Sequence, residues 1–277
     1  MAEERKLELK KFLRAMRARL EPGDVGLPPL QRRRRAPGLR IEEAAALAGV
    51  SLTWYSAFEG GKDIRVSEDV LERVAQSLKL SAAERHYFNT LAKPGRKTTD
   101  ESEPDAGAAF EQSTIDGFTH GPAFVADGFW NVYAYNAIAD ALYGFRASTE
   151  ANLLVRMFTE PALRALHIEW ARIAIQMTEI FHDAYANAVN DVNITALLAR
   201  LREHEPFVGW WEAYGVRPFL PTSATLESPE VGRLNLTYVS FVEAPGRRVP
   251  VGRVLVLQIA RDESTAKRLR RLAHRPS

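Results

Sequence analysis

The segment Arg40–Lys62, RIEEAAALAGVSLTWYSAFEGGK, constrains the fold more than any other stretch of the chain. Ala44, Ala45 and Ala48 leave one helical face small enough for a second helix to cross closely. Gly49 stands where a sharp turn needs a positive φ, which glycine adopts without steric cost. Ser51 follows at the position that caps a second helix. Val50, Tyr55 and Phe58 then fall on one side, and Leu52, Thr53, Trp54, Ser56 and Ala57 on the other. Two helices crossing over a tight turn make a helix-turn-helix, whose second helix enters a DNA major groove N-terminus first. An ordinary helical hairpin within a bundle is the alternative.

Charge favours the first reading. Residues 1–97 carry 20 Lys and Arg against 13 Asp and Glu, whereas residues 98–277 carry 17 against 22. Such asymmetry directs the basic half to a polyanion. Arg32, Arg33, Arg34 and Arg35 precede Pro37-Gly38, and Arg40 opens the first helix of the motif. An arginine arm beside that helix neutralises phosphates or enters a narrow minor groove; a solvated charge run is the other reading. Lys62 is a further phosphate contact. The outward face, from Ser51 to Ala57, lacks the Arg, Asn or Gln of bidentate base readout. That leaves Leu52, Thr53 and Ala57 for thymine methyls. Trp54 either packs on the sugar-phosphate backbone or is buried by a neighbouring helix.

Helical spacing continues around the motif, at Lys6–Leu20, Ser67–Leu78 and Ser81–Ala92, making five helices. Ser81 and Glu84 have capping-box spacing. KPGRKTTDESEPDAGAA, residues 93–109, has no hydrophobic period and reads as a linker. The expected organisation is a helical domain over 1–95, a linker over 96–109 and a second domain over 110–277.

The second domain mixes periods. Pro122–Ala126 and Phe129–Tyr135 read as strands joined at Asp127-Gly128 by a hairpin. Asn136–Tyr143 reads as a short helix, Leu163–Val189 as one long helix, and Ile194–Glu203 and Phe207–Tyr214 as two more. Gly232–Val242 and Arg253–Ile259 alternate with period two, as paired strands joined through Pro245-Gly246, and Ser264–Ala273 is a basic closing helix. An antiparallel sheet with helices on one side is an α+β domain.

Several chemistries lack their residues. The chain has no cysteine, and none of its six histidines pairs at the spacing of a helical zinc site. The sequence has no nucleophile elbow, P-loop or dinucleotide fingerprint. No catalytic, metal or cofactor site is expected. Without a secretory signal or a run of about 20 apolar residues, a soluble cytoplasmic protein with no membrane partner is expected.

RRRRAPGLRIEEAAALAGVSLTWYSAFEGGKDIRVSEDVLERVAQSL resembles the helix-turn-helix of MmyB-like transcription regulators, within the xenobiotic-response-element class. The resemblance extends through PAFVADGFWNVYAYN, NLLVRMF, Glu169-Trp170 and LNLTYVSFV. It implies an all-α five-helix, lambda-repressor-like DNA-binding domain followed by an α+β, PAS-like ligand-binding domain. It also implies double-stranded DNA as partner, action as a homodimer, and a fatty acid or similar lipid as ligand. Ile41 departs from a usual basic or polar residue, Val66 from a proline and Tyr135 from a tryptophan.

The second half is rich in aromatics. The residues selected to line an apolar ligand site are Trp130, Tyr133, Tyr135, Arg156, Arg164, Leu166, His167, Trp170, Ile173, Met177 and Tyr238. The stripe from Leu166 to Met177 would form an apolar wall. A lipid acid needs one cation at the mouth, from Arg156, Arg164 or Arg172, with His167 beside it. The alternative is a solid core, in a domain that serves only dimerisation or partner docking.

Overall fold

The computed structural model describes residues 2–27, 38–93, 112–218, 222–242 and 253–273. Arg32–Arg35, the linker and Pro245-Gly246 lie outside the described residues. The first part holds five helices: α1 (Ala2–Ala18), α2 (Ile41–Leu47), α3 (Leu52–Glu59), α4 (Glu68–Ser77) and α5 (Ala82–Ala92). Serine hydroxyls start three of them. Ser51 Oγ accepts from Trp54 N at 3.2 Å, Ser67 Oγ from Val70 N at 3.4 Å, and Ser81 Oγ from Glu84 N at 3.3 Å. Glu84 returns the bond by accepting from Ser81 N at 2.7 Å, a reciprocal capping box.

Phe12, Leu13, Met16, Tyr55, Tyr87 and Phe88 are fully buried between these helices. Phe12, Leu13, Met16 and Phe88 each contribute roughly 1.5–3 kcal/mol by leaving water. Ile41 and Val66, two of the three departures noted above, are partly buried and pack against this core.

The second part contains β1 (Ala123–Ala126), β2 (Val132–Tyr135), α6 (Ala137–Tyr143), α7 (Leu153–Thr159), α8 (Pro161–Leu166), α9 (Trp170–Ala188), α10 (Val192–Leu201), α11 (Glu205–Glu212), β3 (Thr222–Ser228), β4 (Gly232–Val242), β5 (Val254–Ala260) and α12 (Glu263–Ala273). The five strands form one antiparallel sheet in the order β2-β1-β5-β4-β3. Phe124, Leu226, Leu234, Leu236, Val254 and Val256 point from one sheet face into the main core with the helices. On the opposite face Ala123, Val125 and Ala134 pack with Ile115 and Phe118.

Two expectations need correction. The β1–β2 connection is not a tight Asp127-Gly128 hairpin. The pairing resumes only at Ala126↔Val132, past a bulge. Asp127 Oδ1 accepts from Phe129 N and Asn131 N at 2.8 and 3.0 Å, so the side chain organises a wider turn. The long helix Leu163–Val189 is broken. His167 is extended, pairs with Leu226, and Ile168 N donates to Thr225 O at 3.2 Å. Sheet hydrogen bonds replace helical ones there, which separates α8 from α9.

The helical part and the sheet domain share a buried junction. Ala186 of α9 and Tyr214, just past α11, belong to the apolar cluster of the N-terminal helices. His182 stacks on Trp211 with ring centres 4.0 Å apart and meets the Tyr87 ring edge-on at 5.1 Å.

Candidate functional site

The first candidate surface is the start of α3. Gly49 takes φ +64°, the left-handed conformation that turns α2 into α3. Ala44, Ala45 and Ala48 are buried at the crossing, and Arg73 Nε donates to Ala48 O at 3.1 Å, closing the end of α2 from α4. Arg17 donates to both carboxylate oxygens of Glu59 at 3.0 and 2.9 Å, tying the end of α3 to α1. Burial alone would lower the Arg17 pKa; the Glu59 carboxylate raises it, so the guanidinium stays charged.

The frame leaves Ser51, Leu52, Thr53 and Ser56 exposed and Ala57 half-buried. Trp54 is half-buried too, because its ring stacks on Phe58 at 5.0 Å. Lys62 is exposed. Arg40 lies 3.6 Å from Glu42, so a phosphate would compete with that carboxylate. Gly38 adopts φ +88°, and a β-carbon there would stand 2.5 Å from Ala18 Cα. The backbone entering α2 is therefore pressed against the end of α1.

The second candidate is a cavity between the sheet and the helices. The space between its walls is about 590 Å³, counting the part that is open to solvent. The sheet supplies cross-strand rows: Phe124 pairs with Val256 and Val256 with Ser240, while Gln258 pairs with Tyr238 and Tyr238 with Thr222. Ile173, Gln176, Met177 and Ile180 of α9 form the opposite wall, with Leu153 and Met157 of α7 beside them.

Trp130 also borders the cavity. It holds φ +68°, strained for a bulky residue, and its indole Nε1 donates to Met177 O at 3.0 Å. The indole thus fixes the strand turn to α9.

The cavity's polar groups are concentrated. Tyr143 Oη lies 3.3 Å from Tyr238 Oη and donates to Gln258 Oε1 at 3.0 Å. Burial pushes the Tyr143 phenol up to about 12, so it stays protonated. His167 Nδ1 lies 2.8 Å from Leu163 O. A carbonyl only accepts, so Nδ1 carries the proton and Nε2 is left as an acceptor. Burial also pulls this imidazole below its ordinary value, keeping it neutral.

Of the ligand-site residues chosen from sequence, Trp130, His167, Ile173, Met177 and Tyr238 border the cavity. The others are engaged elsewhere. Tyr133 is exposed, with Arg253 over its ring and its hydroxyl on Asp127. Tyr135 packs on Phe145 at 4.9 Å, Leu166 is buried in the core, and Trp170 donates to Met157 O at 2.9 Å. Arg164 sits 4.3 Å over the Trp170 ring, Arg156 is buried on Glu160, and Arg172 pairs with Glu169. The expected cation at the mouth is absent from the cavity lining among the described residues. Each guanidinium has a partner close in sequence. Phe124, Tyr143, Leu153, Met157, Gln176, Ile180, Thr222, Ser240, Val256 and Gln258 were not anticipated. Of the signals that could have found them, only the inward alternation of Ser240, Val256 and Gln258 along β4 and β5 was available.

Among the described residues no group of His, Asp or Glu is arranged to hold a metal ion, and no helix is long and apolar enough to cross a membrane. A search of curated proteins finds no match to the chain. The profile of a helix-turn-helix domain matches residues 11–88, which contain α2, the Gly49 turn and α3. The profile of the MmyB-like transcription regulator ligand binding domain matches residues 111–272, which contain the whole sheet and the cavity. The chain belongs to the MmyB-like transcription regulators, DNA-binding proteins that carry a ligand-binding domain.

Proposed function

We propose that this regulator binds duplex DNA through the N-terminal edge of α3, as a homodimer, and that a small apolar ligand in its PAS-like domain adjusts that binding. The observation that carries this reading is the placement of α9. Ile173, Met177 and Ile180 border the cavity, while His182 and Ala186, further along the same helix, are buried against the N-terminal helices. A ligand that shifts α9 therefore acts on the seating of the DNA-binding helices. It does so only through different affinity for two arrangements.

The apolar wall suits an acyl chain, and the fatty-acid class implied by the family resemblance fits that wall. On this reading the chain performs no catalysis and needs no metal or cofactor. It works in the cytoplasm, where it meets the DNA. The arm Arg32–Arg35, which precedes α2 in the sequence, supplies phosphate contacts.

The test is duplex affinity with and without ligand. A duplex is first selected on the full chain from a random pool. Its dissociation constant is then measured with the chain stripped of lipid and with a saturating medium-chain acyl compound. Coupling of the usual size changes affinity by about 5- to 150-fold. An unchanged constant at saturation contradicts the sensor reading. It favours the second one, in which the C-terminal domain serves dimerisation or docking alone.

A further inference from the structure

We infer that the cavity selects a ligand whose polar end is uncharged: an alcohol, an ester, an amide or an undissociated acid, and not a carboxylate anion. The inference rests on the sensor reading above and narrows its ligand class.

The polar groups at the cavity floor are all neutral. Tyr143, Tyr238 and Gln258 carry four polar hydrogens between them, one on each phenol and two on the amide. They form a closed cluster, with Gln258 Nε2 also 2.7 Å from Tyr143 Oη. A single phenol oxygen thus stands at the centre of three close contacts, from Tyr238 and both ends of the amide. With its own hydrogen on Gln258 Oε1, the Tyr143 oxygen accepts from Tyr238 Oη and from one amide hydrogen of Gln258, which leaves the second amide hydrogen and the Tyr238 oxygen lone pairs for a ligand, and Tyr238 and Gln258 both border the cavity. His167 Nε2 adds an acceptor. A donor and acceptors together match a hydroxyl or an amide.

Charge compensation is missing. The cavity lining contains no Lys or Arg among the described residues. Arg172 is the cation whose field reaches Tyr238. Its guanidinium donates to both oxygens of Glu169, at 2.9 and 2.8 Å, and to Ser223 O at 2.6 Å. Arg156 is buried, with Nε and Nη2 on Glu160. Its Nη1 is buried without a hydrogen-bond partner, but the residue does not border the cavity. A carboxylate drawn into this site would leave water for neutral donors alone. An unpaired buried charge is far costlier than a buried hydroxyl that keeps its hydrogen bonds.

The experiment is calorimetric titration of the delipidated full chain at mildly alkaline pH with 1-decanol, sodium decanoate and decane. The inference expects 1-decanol to bind at least about tenfold more tightly than decanoate. It also expects Tyr238→Phe to weaken decanol several-fold while leaving decane unchanged. Tyr143→Phe, read the same way, is a second variant should the first fold poorly. Decanoate binding as tightly as decanol, or more tightly, overturns this inference and leaves the sensor reading standing. Binding of none of the three overturns both.

Discussion

His182 Nε2 lies 3.5 Å from Glu8 Oε1, and the two residues belong to separate parts of the molecule, α9 of the sheet domain and α1 of the helical domain. Both are buried, and Tyr87 Oη donates to the same Glu8 oxygen at 3.1 Å. Neither ring nitrogen of His182 has a hydrogen-bond partner. The junction is therefore stabilised by ring stacking on Trp211, with His182 set beside Glu8 but outside hydrogen-bond geometry.

This arrangement makes the junction sensitive to acid. Burial pulls His182 below its ordinary 6.5, against the opposing pull of Glu8. The separated form then takes up a proton more readily than the docked form. Stability from His182 is present above 6.5 and is lost as pH falls through the lowered value. Burial alone would raise Glu8, but His182, Lys11 and Tyr87 bring it below 4.5, so its loss has the same sign at lower pH. Asp183, raised by burial beside His86, acts oppositely in that lower range. Tyr87 and Tyr214 are pushed up by burial and stay neutral, and Arg202 adds to the lowering of His182. Melting temperature should fall between pH 7.5 and 5.5, and His182→Phe, which keeps the stack on Trp211, should flatten that fall. An equally steep fall in the variant removes His182 from the explanation.

The junction should also make the two parts unfold together. Ala186 is fully buried among the N-terminal helices. Ala186→Arg would force a charge into that apolar contact, a cost of several kcal/mol that separation of the parts relieves. Scanning calorimetry should show one transition for the native chain and two for the variant. One transition in both would mean that the contact does not couple them.

What the sequence disclosed was local. The serine caps and the Gly49 turn depend on residues within a few positions, so Ser51, Ser67, Ser81 and Gly49 were legible without a fold. β3 was not, because TSATLES is mostly polar and its inward residues are Ala224, Leu226 and Ser228, a weak apolar period at a sheet edge. The break at His167 was hidden because its cause is a pairing with Leu226, far along the chain. Tyr143 and Gln258 meet across 115 positions, and only the packing of α6 against the sheet brings them together. The arginines misled for the converse reason: Glu160 and Glu169, a turn of helix away from Arg156 and Arg172, had already claimed them.

Gly38 offers a test of how the chain enters α2. Its positive φ and the contact that a β-carbon would make with Ala18 both forbid a side chain. Gly38→Ala should cost roughly 1–3 kcal/mol in the helical domain. Chemical denaturation followed by circular dichroism reads this directly, and an unchanged midpoint would show that the backbone there has room to move.

The central claim is that the start of α3 faces DNA. Thr53 and Ser56 are exposed on it, and Thr53 lies in its first turn, where a carboxylate is favourable to the helix. Thr53→Glu with Ser56→Glu therefore leaves the fold intact while placing negative charge against phosphate. Fluorescence anisotropy on the duplex selected by the native chain should show at least about a hundredfold loss of affinity, equivalent to about 2.7 kcal/mol. Native affinity in a doubly substituted chain that is still folded would contradict the account.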